Sequence, residues 1–439
     1  MKPKNKFKTV IEDCLGLLSK NRLAVVYQSE LHVIAEKIKQ ECSEREIDCD
    51  LMEFPSSYFF DGKYPRLIFQ NLKQSNALSA VLLIIEWSAE TTGGRLNFLR
   101  NLMNSGKGWK IGSMPGIETK YLGYCDWDID ATIDVSNGIF NSLKKYAEAE
   151  LITTSKNGER FSLKIDLGEH HPIISSGKID VGKWGNVPSG EVFVLPRFNL
   201  CNGQIMLTGS IPNYVLKEDE WILLQLEEGI INLDAVICSS KRVSSKFIKL
   251  FYDVKNNFIP NSTRIAELGI GTNEKITELT GIPLFDEKKI GTFHLGFGSN
   301  HQFNGDLKCD IHHDLVFTNG TIILKEEILN THEILIENGN YIDNRKIKFP
   351  TKFKKTNAHI GLTSKQVFCI EKNRIILNYT TNRNPSIKIE IKVDACFEAV
   401  KDLLEEKVKK VRVSTIDDSF FESSFFHELL LHDIIEIKK

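Results

Sequence analysis

Residues Ala80-Val-Leu-Leu-Ile-Ile-Glu-Trp87 form a nearly unbroken apolar run bounded by polar residues. Eight residues is strand length, and the lack of polar alternation predicts a strand covered on both faces. Such a strand needs helices above and below it, and the flanking sequence supplies them. Arg22–Tyr27 reads as a second buried strand, Cys49–Phe54 as a third and Trp109–Gly112 as a fourth. Helical patterns run through Glu30–Cys42, Pro65–Ser75 and Arg95–Asn104 between them. This spacing predicts an open parallel α/β sheet over residues 1–146. Gly93-Gly94-Arg95 follows a strand but has neither Gly-Lys-Ser/Thr nor Gly-x-Gly-x-x-Gly, so it reads as a turn and not a phosphate loop.

From about residue 147 short alternating strands with Gly, Asn and Pro turns take over. Phe161–Ile165, Glu191–Leu195, Gln204–Thr208 and Trp221–Gln225 are examples, and Leu315–Phe317 and Thr321–Leu324 continue the pattern. A helix over Val243–Lys255 interrupts them. The texture predicts a largely antiparallel domain at 147–344. Residues 345–439 read as a small α+β extension, with strands in Val367–Tyr379 and Ser386–Val393, an amphipathic helix over Ala395–Lys410 and an apolar-rich close from Phe420 to Ile437. The fold class is therefore α/β plus α+β.

The 56 basic and 58 acidic residues leave a net charge of −2, which gives no long-range field for nucleic acid or an anionic membrane. No apolar run reaches the ~20 residues of a spanning helix, and no signal peptide opens the chain. The nine cysteines are scattered, without a Cys-x-x-Cys pair, which suits free thiols in the cytoplasm.

The chemistry-bearing residues concentrate between Glu267 and Asp314. Ala266-Glu-Leu-Gly-Ile-Gly271, Thr292-Phe-His-Leu-Gly296 and Ile311-His-His-Asp314 place Glu267, His294, His312 and Asp314 among apolar neighbours. These are ligand types for zinc, cobalt, manganese or ferrous iron. A carboxylate at the wall of a core needs a compensating partner, and a divalent cation supplies one. Upstream, Pro188 and Gly190 set Glu191 at the mouth of a strand. His313 falls on the opposite side of its strand from His312 and reads as structural. His170 and His171 form either a substrate-contacting loop or a solvated turn, and Cys309 a buried thiol. Neither a Gly-x-Ser-x-Gly elbow nor a Cys/His nucleophile pair is present.

Asn186-Val-Pro-Ser-Gly-Glu-Val-Phe193, Ala266–Asn273, Gly291–Gly296 and Ile311–Asp314 follow the order and approximate spacing of motifs in the thermophilic leucyl aminopeptidases. Gly112-Ser-Met-Pro-Gly116 also resembles that aminopeptidase T family of metallopeptidases. The resemblance runs from the first strand to about residue 330 and leaves the C-terminal extension unmatched. It implies a cleft with two divalent ions, zinc, cobalt or manganese. Glu191 and Glu267 would match the metal-binding glutamates, one of them also the base, and His294, His312 and Asp314 the remaining ligands. It implies hydrolysis of a peptide or peptide-like amide at its N-terminus by a homodimer.

One departure opens an alternative. The family tyrosine after the first ligand histidine is missing from Gly298-Ser-Asn-His-Gln-Phe303, where His301 or Asn300 would donate to the oxyanion instead. This stretch looks more like a divergent branch that includes ring-cleaving dioxygenases acting on 2,5-dihydroxypyridine. His294, His312 and Asp314 alone would also form a two-histidine, one-carboxylate set for a single Fe(II). A member without catalysis is the third reading. Among substrate contacts, Asn300 and His171 are the candidates.

Overall fold

The computed structural model describes residues 6–55, 66–74, 77–86, 92–168, 171–253, 255–303, 305–326 and 331–342, with short strands beyond. The chain divides into two compact units, Met1–Ile323 with Ile336–Tyr341, and Leu324–Leu335 with Ile342–Lys439. The first unit holds both the parallel and the antiparallel layers.

Four strands head the parallel sheet: β1 (Arg22–Gln28), β2 (Asp48–Phe54), β3 (Ala80–Ile85) and β4 (Lys110–Pro115). They lie in the order β2-β1-β3-β4, all parallel. The continuous apolar runs are explained by two cores, one on each face. Leu23, Val25, Leu82 and Ile84 join one core with Ile34, Ala35 and Ile38 of helix α1 (His32–Ser43). Ala24, Val26, Val81, Leu83 and Ile85 join the other. There they meet Ile68 and Leu72 of α2 (Arg66–Gln74) and Phe98, Leu99 and Leu102 of α3 (Thr92–Met103). Gly93 and Gly94 lie in the first turn of α3, so the glycine pair expected as a turn opens a helix instead.

Helix α4 (Ile129–Lys145) is not among the helices expected from the sequence. Its start is nevertheless specified: the Asp128 side chain accepts from Ala131 N at 2.9 Å, a helix N-cap. Helix α4 packs beside the strand that begins at Glu191. Ser136 on α4 also meets Thr272 Oγ1 at 3.0 Å.

The antiparallel layers begin with β5 (Glu148–Thr154) and β6 (Arg160–Asp166), followed by the short β7 (Ile173–Ser175), β8 (Trp184–Asn186) and β9 (Glu191–Val194). Next come β10 (Asn202–Leu207), β11 (Ser210–Ile211), β12 (Tyr214–Val215), β13 (Ile222–Glu227), β14 (Ile230–Ile231) and β15 (Ile237–Cys238). After α5 (Lys241–Ile248), shorter than the helix expected there, follow β16 (Ile265–Gly271), β17 (Phe293–Gly298) and β18 (His312–Phe317). β8 extends the parallel sheet next to β4. One antiparallel sheet, of nine strands, contains the run β14-β13-β10-β6-β5, with β15 also paired to β13. The other, of seven strands, runs β12-β11-β18-β17-β16-β9-β7. Every residue of β16 and β17 is buried, so this last sheet is covered on both faces.

In the second unit, His359–Leu362 lies between Lys410–Arg412 and Ile435–Lys438, and Phe368–Glu371, Arg374–Tyr379 and Ile387–Lys392 form a meander. The expected helix over 395–410 lies outside the described residues except for its last position, as does most of 420–437. Cys14, Cys42, Cys49, Cys125, Cys201, Cys238 and Cys309 are free thiols. No helix among the described residues is long and apolar enough to cross a membrane.

A candidate metal centre on the seven-stranded sheet

The register of β9, β16, β17 and β18 explains why this sheet carries so many glycines. Across the ladder Glu191 pairs with Gly271, His294 with Gly269, Glu267 with Gly296, Gly296 with Asp314, and Gly298 with His312. Residues two apart on a strand share a face, so these positions all belong to one face of the sheet. Each candidate ligand therefore stands opposite a glycine. The vacancy is used by the neighbouring row: a Cβ on Gly269 would overlap the His294 imidazole. One on Gly296 would lie 2.8 Å from His312 Cε1 and 2.9 Å from Glu267 Cβ. Glycine is needed there because side chains from adjacent rows lie over its Cα.

The side chains converge. His294 Nε2 lies 3.3 Å from Glu267 Oε1 and 3.7 Å from Glu191 Oε2. His312 Nε2 lies 3.6 Å from Glu267 Oε2 and 3.2 Å from Asp314 Oδ1. Bonds of about 2.0–2.2 Å place the ligand atoms of one ion roughly 3.0–3.6 Å apart, a range these pairs match to within 0.1 Å, although His312 belongs to neither group of three donors that lie mutually close. Two overlapping triads, Glu191–Glu267–His294 and Glu287–His294–Asp314, each bring their donor atoms within 4.8 Å of one another. His294 is the shared member and is fully buried, whereas the His312 side chain keeps 13% exposure and opens the cluster to solvent.

The orientation of the His312 ring is fixed by its neighbour. The Ser299 carbonyl can only accept, so Nδ1 donates to it at 2.6 Å and Nε2 is left to face the carboxylates. A main-chain carbonyl behind a ligand histidine is the usual way to orient a metal-binding imidazole. The donor set and this backing fit a divalent ion.

Burial opposes charge throughout the cluster, and the mutual attraction of its members overrides it selectively. Burial would lower His312, but Asp314 and Glu267 push it up to about 10. Burial would raise Asp314, but His312 and His294 hold its carboxyl well below the usual carboxylate range. Glu267 and Glu287 are both raised, chiefly by burial. The cluster thus holds more carboxylates than cations and draws positive charge inward. Because Asp314 and Glu267 hold His312 protonated while a metal needs its Nε2 lone pair, ion binding at pH 8 is expected to release at least one proton. Apparent affinity should rise by about tenfold per pH unit between pH 7 and 9. Calorimetry in buffers of different ionisation enthalpy measures this, and a pH-independent affinity would contradict it.

Other sequence candidates fall elsewhere. The Asn300 amide is spent on the main chain, donating to Ala266 O and accepting from Leu307 N. His301 is exposed, its Nδ1 lies 3.4 Å from Gly305 O, and its amide donates to Ser299 Oγ. His171 is exposed and His170 lies outside the described residues. None of Asn300, His301 or His171 has a described hydrogen bond to the five clustered residues. His313 faces away from His312, bonds the Leu250 main chain and is lowered to about 4, first by burial and then by His312. The Cys309 thiol, expected to be buried, is only half-buried and donates to Pro260 O at 3.2 Å.

Two residues absent from the sequence argument complete the cluster. Lys288 is fully buried, with Nζ 3.3 Å from Glu191 Oε1 and hydrogen-bonded to Glu287. Asp286-Glu-Lys-Lys289 reads as a solvated polar turn, and no signal in the sequence marks it as interior.

Solved structures with this arrangement of strands exist. A 2,5-dihydroxypyridine dioxygenase from Pseudomonas putida KT2440 superposes with a TM-score of 0.54 at 15% identity, over 76% of this chain and 96% of that one. Wild-type AmpT from Thermus thermophilus superposes with a TM-score of 0.53 at 11% identity, over 77% of this chain and 99% of that one. The likeness is one of fold. No family model and no curated protein matches the sequence.

Proposed function

We infer that this protein is a metal-dependent hydrolase that cleaves the amide bond at the N-terminus of a peptide or peptide-like metabolite. The observation carrying this reading is the surplus of buried carboxylate. Glu191 and Glu267 face the same point as His294, His312 and Asp314, two acids beyond the set that a mononuclear oxygenase iron needs. Hydrolysis uses such acids, because a proton must leave the attacking water and reach the departing amine.

His294, His312, Asp314 and Glu267 would hold the ion, which supplies Lewis acidity toward the scissile carbonyl. Glu191 would move the proton: Lys288 lies 3.3 Å from its Oε1, and its Oε2 lies beside His294. A substrate's free α-ammonium would be drawn to this acid-rich cluster, which is the basis of the preference for free N-termini in this reading. Burial of His294 and Glu267 keeps bulk water from the floor of the site.

The runner-up is an Fe(II) oxygenase using His294, His312 and Asp314, and the absence of tyrosine from Gly298–Phe303 favours it. The discriminating experiment supplies Mn²⁺, Co²⁺ or Fe²⁺ with aminoacyl anilides or dihydroxypyridine, in air and under argon. Amine release at equal rates in both atmospheres is expected. Substrate loss that needs both Fe²⁺ and dioxygen would overturn the hydrolase reading.

A further inference from the structure

We propose that the Lys288 ammonium stands in for a second cation, so that the chain holds one divalent ion where the aminopeptidase resemblance implies two. The inference rests on the metal-centre reading above and concerns its stoichiometry.

Glu191 is the pivot. Its Oε2 lies 3.7 Å from His294 Nε2 and its Oε1 lies 3.3 Å from Lys288 Nζ. One carboxylate thus spans the proposed ion position and an ammonium, as a bridging carboxylate spans two ions in a dinuclear site. Two ions in such a site sit about 3.5–4 Å apart, and the space beside Glu191 on that side is taken by Nζ and by Glu287 bonded to it. Both triads of mutually close donors, Glu191–Glu267–His294 and Glu287–His294–Asp314, share His294, so they do not make two independent ion positions.

Lys288 is also held so that it cannot easily swing out. Asn273 N donates to Lys288 O at 2.8 Å, and the Asn273 amide donates in turn to Ser189 O at 2.7 Å, just ahead of Glu191. Gly271 lets this segment approach, since a Cβ there would lie 2.7 Å from the Lys288 carbonyl carbon. The side chain is wholly buried, and a buried ammonium persists only where anions surround it. Burial works against its charge, and Glu191 with Glu287 outweighs that and keeps it protonated. A second divalent ion would have to expel this ammonium or sit against it.

The test counts Co²⁺ bound to the full-length protein after chelation, saturation and desalting, by elemental analysis and titration calorimetry. Wild type is expected to bind one ion per chain, and Lys288→Arg one. Lys288→Met, which leaves Glu191 and Glu287 without their cation, is expected to bind two. Two ions on the wild type would overturn the proposal, as would one ion on a folded Lys288→Met protein. If Lys288→Met fails to fold, the counts on wild type and Lys288→Arg still decide. No bound cobalt on any variant would instead remove the metal centre itself, a distinct failure from a count of two.

Discussion

Glu267→Ala is expected to abolish amide turnover and to weaken Co²⁺ or Mn²⁺ binding by at least about 100-fold, since even residues behind the ligands cost 10–100-fold. Glu267 lies within 3.6 Å of both imidazoles, with one oxygen toward each. The metal-free protein should behave differently. Burial raises the Glu267 carboxyl, so in the absence of an ion its charge is held at a cost and its removal should leave folding intact or slightly improved. The informative quantity is therefore the stabilisation conferred by metal. An ion at a hundred times its dissociation constant adds about 2.7 kcal/mol to the native state, and this increment should vanish in Glu267→Ala. Thermal melts with and without Co²⁺ measure it. An undiminished metal-dependent shift would take Glu267 out of the ligand set.

The second large effect comes from glycine. Gly269→Ala inserts a methyl group into the His294 ring, and Gly296→Ala inserts one against His312 and Glu267. Each row lies in a strand buried on both faces, so neither the backbone nor the ring has free volume into which to retreat. Overpacking of this kind costs about 1–3 kcal/mol. It should also rotate the imidazole off the centre, lowering metal affinity without removing any ligand atom. Gly123→Ala serves as the control, because a Cβ there meets nothing within 4 Å. Denaturant unfolding and metal titration of the three variants together check the claim. Equal behaviour of Gly269→Ala and Gly123→Ala would contradict it.

These glycines show where sequence reasoning stops. Glu267-Leu-Gly-Ile-Gly271 and His294-Leu-Gly-Phe-Gly298 reveal chemistry-bearing residues on strands, because residue type and alternation are local. That each ligand stands opposite a glycine is a property of register, which joins residues 14 or more positions apart and leaves no local trace. The parallel sheet was legible for the converse reason: Ala80–Ile85 and Arg22–Tyr27 must be apolar on both faces wherever their neighbours come from. Helix α4 was legible in principle through Asp128 and the spacing of Ile129, Thr132, Val135, Ile139 and Leu143, but Asn137-Gly138 in its middle blunts the pattern. Lys288 was not legible at all. Its burial follows from Gly271 and Asn273 admitting the Lys288–Lys289 backbone, and polar turns of that composition are ordinarily solvated.

The central claim, that this cluster is a metal centre, is tested most directly by anomalous diffraction from crystals of the full-length protein saturated with Co²⁺. A single strong peak is expected about 2.0–2.3 Å from His294 Nε2, His312 Nε2 and an oxygen of Asp314. Cobalt found only elsewhere, with no peak between these three side chains at saturation, would contradict it.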